Sequence, residues 1–272
     1  MAQAVGTAGI QKGPTLSAPR AVGLVLKQAE FYKWMDRMMD YSSQFSKEYD
    51  TQLERIPHYE RHPQMMPFVG ADYGKLGPKL LLIGESHYLN PKSTIHLDPT
   101  VWYQSTVADL DQDSPADNRR EYWATHTRAC LTKKGPTWKK RSFTIFRNIE
   151  AALLEAGYPV ADNTLRYVAY MNGFQRPAVS RLSIKETSLD RERAVETVQS
   201  VIDVLQPDHV ICVSRKAFKT LNGHLDGETY GTPHPASAWW NRASRRGTGK
   251  NQFVELVRGF HGTTGEGESR DV

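Results

Sequence analysis

The stretch Lys79-Leu80-Leu81-Leu82-Ile83-Gly84-Glu85-Ser86-His87-Tyr88-Leu89 decides the fold. Leu80 to Ile83 run apolar without helical spacing after Gly77-Pro78, the pattern of a central parallel strand covered on both faces. Gly84 then permits a close turn, and Glu85, Ser86, His87 and Tyr88 fall at the strand's carboxyl end. In open α/β sheets ligands bind at that edge, so an active-site loop is expected here.

Toward the carboxyl terminus the same logic repeats. Ile145, Ile149, Ala152 and Leu153 mark a helix that stops near Gly157-Tyr158-Pro159. Leu165 to Met171 reads as a second strand, β-branched and aromatic, ending at Asn172-Gly173. A helix over Asp190 to Leu205 carries Ala194, Val198, Val201, Ile202 and Leu205 on one face and is closed by Pro207. His209 to Val213 is a third buried strand, leading into a helix from about Arg215 to Leu221. Glu228 to Pro235 reads as a short fourth strand running into a loop at His234. The alternation predicts an α/β fold, a three-layer αβα sandwich around a four-stranded, mostly parallel sheet. Three of its strand ends carry Glu85, Asn172 and His234.

Around this frame, residues 1–20 are rich in Ala, Gly, Pro and Ser and are expected to form a disordered tail. Residues 21–272 are expected to form one α/β domain with an insertion at about 90–141. Phe31, Met35, Met38, Met39 and Tyr41 recur at helical spacing, predicting an amphipathic helix from about Gln28 to Tyr49. The insertion reads as irregular, with Pro91, Pro99, Pro115 and Pro136 and the acidic run Asp109 to Asp117; it is either a solvated excursion or a pocket wall. Lys133, Lys134, Lys139, Lys140 and Arg141, interleaved with Trp138, have the composition of a backbone-contacting surface with a stacking aromatic.

Composition sets further bounds. With 272 residues and 39% hydrophobic content the chain can bury a substantial core. No apolar run approaches the roughly 20 residues that span a bilayer, and a basic-then-apolar leader is missing, so a soluble cytoplasmic protein without a membrane partner is expected. Cys130 and Cys212 sit in no CxxC pair and read as reduced structural residues. His58 and His62 are spaced like helical metal ligands, but Pro57 and Pro63 argue against that helix, so neither metal nor cofactor is expected. A net charge of +5 is compatible with a polyanionic partner.

A carboxylate, an amide and an imidazole in one cleft support several chemistries. Singly, each has a structural alternative: Glu85 as a helix cap, Asn172 as a turn residue with Gly173, His234 as a loop residue between prolines. An esterase reading with Ser86 as nucleophile fails because Tyr88 stands where the elbow needs glycine. A nucleotide-binding reading fails because Gly84 stands alone.

In order and placement these residues resemble the uracil-DNA glycosylase superfamily. Its first motif, G-Q-D-P-Y in one branch and G-E-x-P-G in another, matches Gly84-Glu85-Ser86-His87-Tyr88. Its central strand ends in an Asn often followed by R-P, as in Tyr170-Met171-Asn172-Gly173-Phe174-Gln175-Arg176-Pro177. Its last motif, H-P-S or H-P-A followed by a wedge and often an Arg, matches His234-Pro235-Ala236-Ser237-Ala238-Trp239-Trp240-Asn241-Arg242. The resemblance covers about Lys79 to Arg258, apart from much of 90–137.

The resemblance implies a monofunctional DNA glycosylase of base excision that flips out a pyrimidine and hydrolyses its N-glycosidic bond. Asn172 would bond the base edge, with Ser86 in the base-binding loop and Tyr88, or Trp138 and Phe143, against the ring. His234 would support the anion on the departing base, a role worth about 3 to 4 kcal/mol for one preorganised donor. Glu85 would orient water or stabilise the sugar cation. Ser237, Arg242, Arg245, Arg246 and Lys250 would bind phosphates, and Trp239 or Trp240 would enter the stack. DNA is thus the expected partner of a monomer.

The sequence also departs from the family. Ser86 stands where the most active uracil-removing branch has Asp, His87 replaces the motif proline, and two cysteines cannot supply the four of the iron–sulfur branch. The insertion has no counterpart in compact members. These departures leave two further outcomes beside uracil excision: a phage-defence glycosylase removing bulky modified cytosine, or an inactive DNA-binding module.

Overall fold

The computed structural model describes residues 43–113, 118–138, 143–180 and 182–263, all within the unit from Tyr41 to Val272. The expected tail, most of the expected amino-terminal helix, and Lys139, Lys140 and Arg141 lie outside them. The protein is mixed α/β with a mostly parallel central sheet.

Seven strands are described: β1 (Phe68–Val69), β2 (Leu80–Gly84), β3 (Tyr88–Leu89), β4 (Ala169–Asn172), β5 (Ala178–Val179), β6 (His209–Cys212) and β7 (Thr229–Gly231). Five form the main sheet in the order β1-β4-β2-β6-β7. Strands β4, β2, β6 and β7 are parallel, with Leu82 opposite Tyr170 and Ile211, and Ile211 opposite Tyr230. All five residues of β2 are buried, as its unbroken apolar run requires of a central strand.

The period-2 alternation of side chains splits the core between two faces. Leu81, Ile83, Ala169, Met171, Val210 and Cys212 pack with Ala194, Val198, Val201 and Leu205 of the Ser188–Leu205 helix. Leu80, Leu82, Tyr170 and Ile211 pack with Ile149 and Leu153 of the Thr144–Ala156 helix and Phe253 and Val257 of the Gly249–Thr263 helix. Local chemistry sets the helix ends: Thr187 and Asp190 form a reciprocal capping box, and Gly157 ends its helix at φ 110°, a conformation costly for any residue with a Cβ.

Five expectations need correction. The main sheet has five strands, not four; β1 is an antiparallel edge of two residues between Pro67 and Gly70, too short to show alternation. The second strand is shorter than its apolar run, because Thr164–Tyr167 form a 3₁₀ turn before β4 begins at Ala169. The insertion is not irregular where described: helices span Pro99–Gln104, Val107–Asp113, Asn118–Thr125 and Thr127–Leu131. Pro99 opens the first of these, capped by Asp98, because the first helical turn has no use for the missing N–H. Likewise Pro57 starts the helix Pro57–Arg61 instead of preventing it. Residues 43–49 are not helical either; Phe45 bridges to Gly70, and the first described helix is Asp50–Leu53.

Candidate active site

Parallel pairing brings the carboxyl ends of β4, β2, β6 and β7 to one edge of the sheet. Glu85 follows β2, Asn172 ends β4, Ser214 follows β6 closely, and His234 lies three residues beyond β7.

The loops after β2 and β4 are joined by their main chains. Gly173 N donates to Gly84 O (3.1 Å), Phe174 N to Glu85 O (2.9 Å), Ala178 N to His87 O (2.8 Å) and Ser180 N to Leu89 O (2.8 Å), so β3 and β5 form a small parallel pair of their own. Glu85 and Asn172 are therefore fixed relative to each other by backbone. Gly84 makes the approach possible: a Cβ there would meet the Tyr170 hydroxyl at 2.0 Å and Asn172 Oδ1 at 2.6 Å, so no other residue fits.

Hydroxyls hold both oxygens of Glu85. Ser183 Oγ donates to Oε1 at 2.5 Å and Ser214 Oγ to Oε2 at 3.2 Å. Ser214 also caps the Arg215–Leu221 helix by accepting from Ala217 N. The Ser183 loop is tied down in turn, with Lys216 Nζ donating to Ile184 O and pairing with Glu186.

His234 is half-buried, and its Nδ1 accepts from Ala236 N at 3.2 Å, which puts the proton of the neutral ring on Nε2. Burial pulls its pKa below the usual imidazole value, against the opposing pull of the Glu85 carboxylate. The two groups sense each other, and the imidazole is neutral at neutral pH.

Asn172 is buried, and its Oδ1 accepts from the Tyr170 hydroxyl at 3.3 Å. Gln175 Nε2 donates to the carbonyls of Asn172 (2.7 Å) and Gly173 (3.2 Å), and Gln175 O accepts from Trp102 Nε1 at 3.1 Å. Arg176 binds Asp190 through Nε and Nη2 (both 2.8 Å) and donates to His96 O and Lys185 O. The insertion, carrying His96 and Trp102, is thereby fastened to the loop that carries Asn172.

The aromatics divide. Tyr88 is half-buried, and burial first, then Glu85, raises its pKa. Phe143 is half-buried at the edge of a cluster with Trp138 and Phe146, and Phe146 meets Tyr170 edge-on at 5.5 Å. Trp138 is itself core, its indole N–H donating to Glu150 Oε2 at 2.8 Å, so it is not free to lie on a ligand ring. Trp240 requires a firmer correction: it is 1% exposed and packed near Phe253, so it cannot enter a base stack. Trp239 is 53% exposed, with the Arg242 guanidinium 5.6 Å from its ring centre.

Arg245 and Arg246 are exposed in the tight Ser244–Gly247 turn, closed by Ser244 N to Gly247 O and by Gly247 at φ 79°. Lys250 pairs with Glu155 and Lys133 with Glu150, so the charge of neither is uncommitted. The hydroxyls of Ser86 and Ser237 are buried without a hydrogen-bond partner. His58 lies on the Pro57–Arg61 helix and His62 just past its end, their rings 5.2 Å apart, yet among the described residues no group of three His, Cys, Asp or Glu could hold a metal. No described helix is long and apolar enough to cross a membrane.

Sequence reading missed Tyr170, Gln175, Ser183 and Ser214. Ser214 had a signal, a serine just before a helix-forming run. Ser183 had none, since its partner is 98 positions away. No protein-family model matches the chain, and no curated protein matches it.

Proposed function

We propose that this protein is a monofunctional DNA glycosylase that extrudes a pyrimidine nucleotide and hydrolyses its N-glycosidic bond, leaving an abasic site. One observation carries the reading: Glu85, Asn172 and His234 lie at or just beyond the carboxyl ends of strands in one parallel sheet, and the Glu85 carboxylate opposes the effect of burial on the His234 imidazole. The three-layer αβα arrangement suggested by the two core faces belongs to the same reading.

On this reading each residue has a role. The Asn172 amide bonds the base edge, and Tyr88 and Phe143 border the ring. Neutral His234 donates from Nε2 to the oxygen of the base as negative charge develops there, a preorganised donor in a half-buried site. Glu85 accepts from two hydroxyls, and its remaining lone pairs are available to orient a water molecule and offset positive charge on the sugar. That water supplies the oxygen that replaces the base on the sugar carbon, and the base leaves with the bonding electrons and takes up a proton. Trp239 fills the vacated stack, while Arg242, Arg245 and Arg246 contact phosphates.

The described part of the insertion is fastened through Trp102 and His96 to the loop that presents Asn172, which supports a part for it in holding the base-reading loop in place. The test is base release. The full chain is incubated with DNA containing uracil or modified cytosine, abasic sites are revealed with alkali, and the freed base is identified by mass. Release of either base is expected. DNA binding without release of any base would make the chain an inactive binding module.

A further inference from the structure

We propose that Ser183 is a positioning residue, which together with Ser214 fixes the plane of the Glu85 carboxylate so that its untaken lone pairs keep one direction in the cleft. The proposal rests on the glycosylase reading of the site and deepens it, because Ser183 acts on the reaction only through Glu85.

The two hydroxyls reach Glu85 from different parts of the chain. Ser183 Oγ donates to Oε1 at 2.5 Å from the loop after β5, and Ser214 Oγ donates to Oε2 at 3.2 Å from just beyond β6. A single donor would leave the carboxylate free to turn about its Cγ–Cδ bond, a soft torsion with broad wells. One donor on each oxygen removes that freedom. A carboxylate has about four lone-pair sites, so some stay available once both serines are bonded, and the fixed plane sets where they point.

The serines are held in different ways. Ser214 is 1% exposed, and its oxygen also accepts from Ala217 N, so its hydrogen is committed to Glu85. Ser183 is exposed, and its place is set by its neighbours. On one side Leu182 N donates to Val179 O. On the other, the Ile184 side chain is buried, Lys216 Nζ donates to Ile184 O, and Arg176 Nη2 donates to Lys185 O at 2.9 Å. Arg176 is itself locked on buried Asp190. Anchors on both sides thus deliver an exposed hydroxyl to one carboxylate oxygen. Packing asks nothing of an exposed position, so the hydroxyl is what serine contributes there.

The experiment uses the full chain and oligonucleotides with a single uracil or 5-hydroxymethylcytosine, and compares the unaltered protein with Ser183→Ala and Ser183→Thr. Ser183→Ala should lower kcat about tenfold, the weight of one hydrogen bond to a charged group, while KM for the DNA changes less than about twofold and the melting temperature holds. Ser183→Thr keeps the hydroxyl and should recover most of the lost rate. An unchanged kcat in Ser183→Ala, a loss that falls on KM instead, or a threonine variant as slow as the alanine variant overturns the assignment. A second measurement reads the contact itself. The infrared spectrum of the unaltered protein minus that of Glu85→Gln isolates the Glu85 carboxyl band, and the same difference taken in the Ser183→Ala background should show that band displaced. If no base is released from either oligonucleotide, the glycosylase reading fails and the band alone decides. A displaced band would then uphold the hold of Ser183 on Glu85 in a binding protein, and coincident bands would overturn it.

Discussion

Glu85 keeps both carboxylate oxygens on serine hydroxyls at the rim of the sheet, whereas His58, His62 and His87 are sealed inside the flank built by the Pro57–Arg61 helix and the insertion. In the cleft, polar groups are steered by specific hydrogen bonds, and Glu85 and His234 stay partly open to solvent. In the flank, burial is the largest influence on their state. His62 lies flat on Trp102 with centroids 4.4 Å apart, and His87 Nε2 lies 3.0 Å from Thr127 Oγ1, which also bonds Met65 O. On the proposed function, similar residue types serve chemistry in one place and packing in the other, and surroundings separate the two roles better than composition does.

The largest expected effect tests the flank. Burial lowers the pKa of His62 and of His87 to about 4, and lowers that of His58 well below its usual 6.5. A folded value below the unfolded one means that the unfolded chain binds more protons in between. Stability should therefore be complete above pH 6.5 and fall as pH drops toward 4, at about 1.4 kcal/mol per unit for each histidine. Thermal melts at pH 7, 5.5 and 4.5 measure this; a melting temperature that held steady or rose with acid would place these imidazoles in water.

Next comes the cleft. His234→Ala should slow base release by about 10²- to 10³-fold, the usual effect of losing one preorganised donor, while the melting temperature stays nearly constant. Equal losses of rate and of stability would make His234 a packing residue and erase the contrast with the flank.

The smallest effect lies where the regions meet. Trp102 stacks on His62 and donates its indole N–H to Gln175, which in turn holds the Asn172 carbonyl. Trp102→Phe keeps a ring on His62 but leaves the Gln175 carbonyl unpaired, at a cost of about 1 to 3 kcal/mol. Denaturant melts should register that loss, and KM for the DNA substrate should rise more than kcat falls. An unaltered KM would show that the insertion does not support the base-reading loop.

Much of the frame was legible in the sequence because its signals are local. Leu80 to Ile83 could only be a buried strand, and the strand ends at Glu85 and Asn172 follow from Gly84 and from the apolar run before Asn172. The hidden parts depend on distant partners. Phe68–Val69 joins the sheet only because β4 offers an edge, and the short helices of the insertion were masked by prolines that open helices as readily as they end them. Trp239 and Trp240 are neighbours of identical chemistry, and only packing near Phe253 assigns one to the core. Lys250 reads as a free charge until Glu155, on another helix, is seen to claim it.

The ladder between residues 84–89 and 173–180 has a further consequence. Its four hydrogen bonds are main chain to main chain, so they do not depend on which side chains the loop carries. A segment clamped in this manner can exchange its lettering and keep its course, as a printed line keeps its length when one word is swapped for another of equal width. The course of this loop is therefore set by its main chain, and the one side chain it cannot accept is at Gly84, where a Cβ would meet Tyr170 and Asn172.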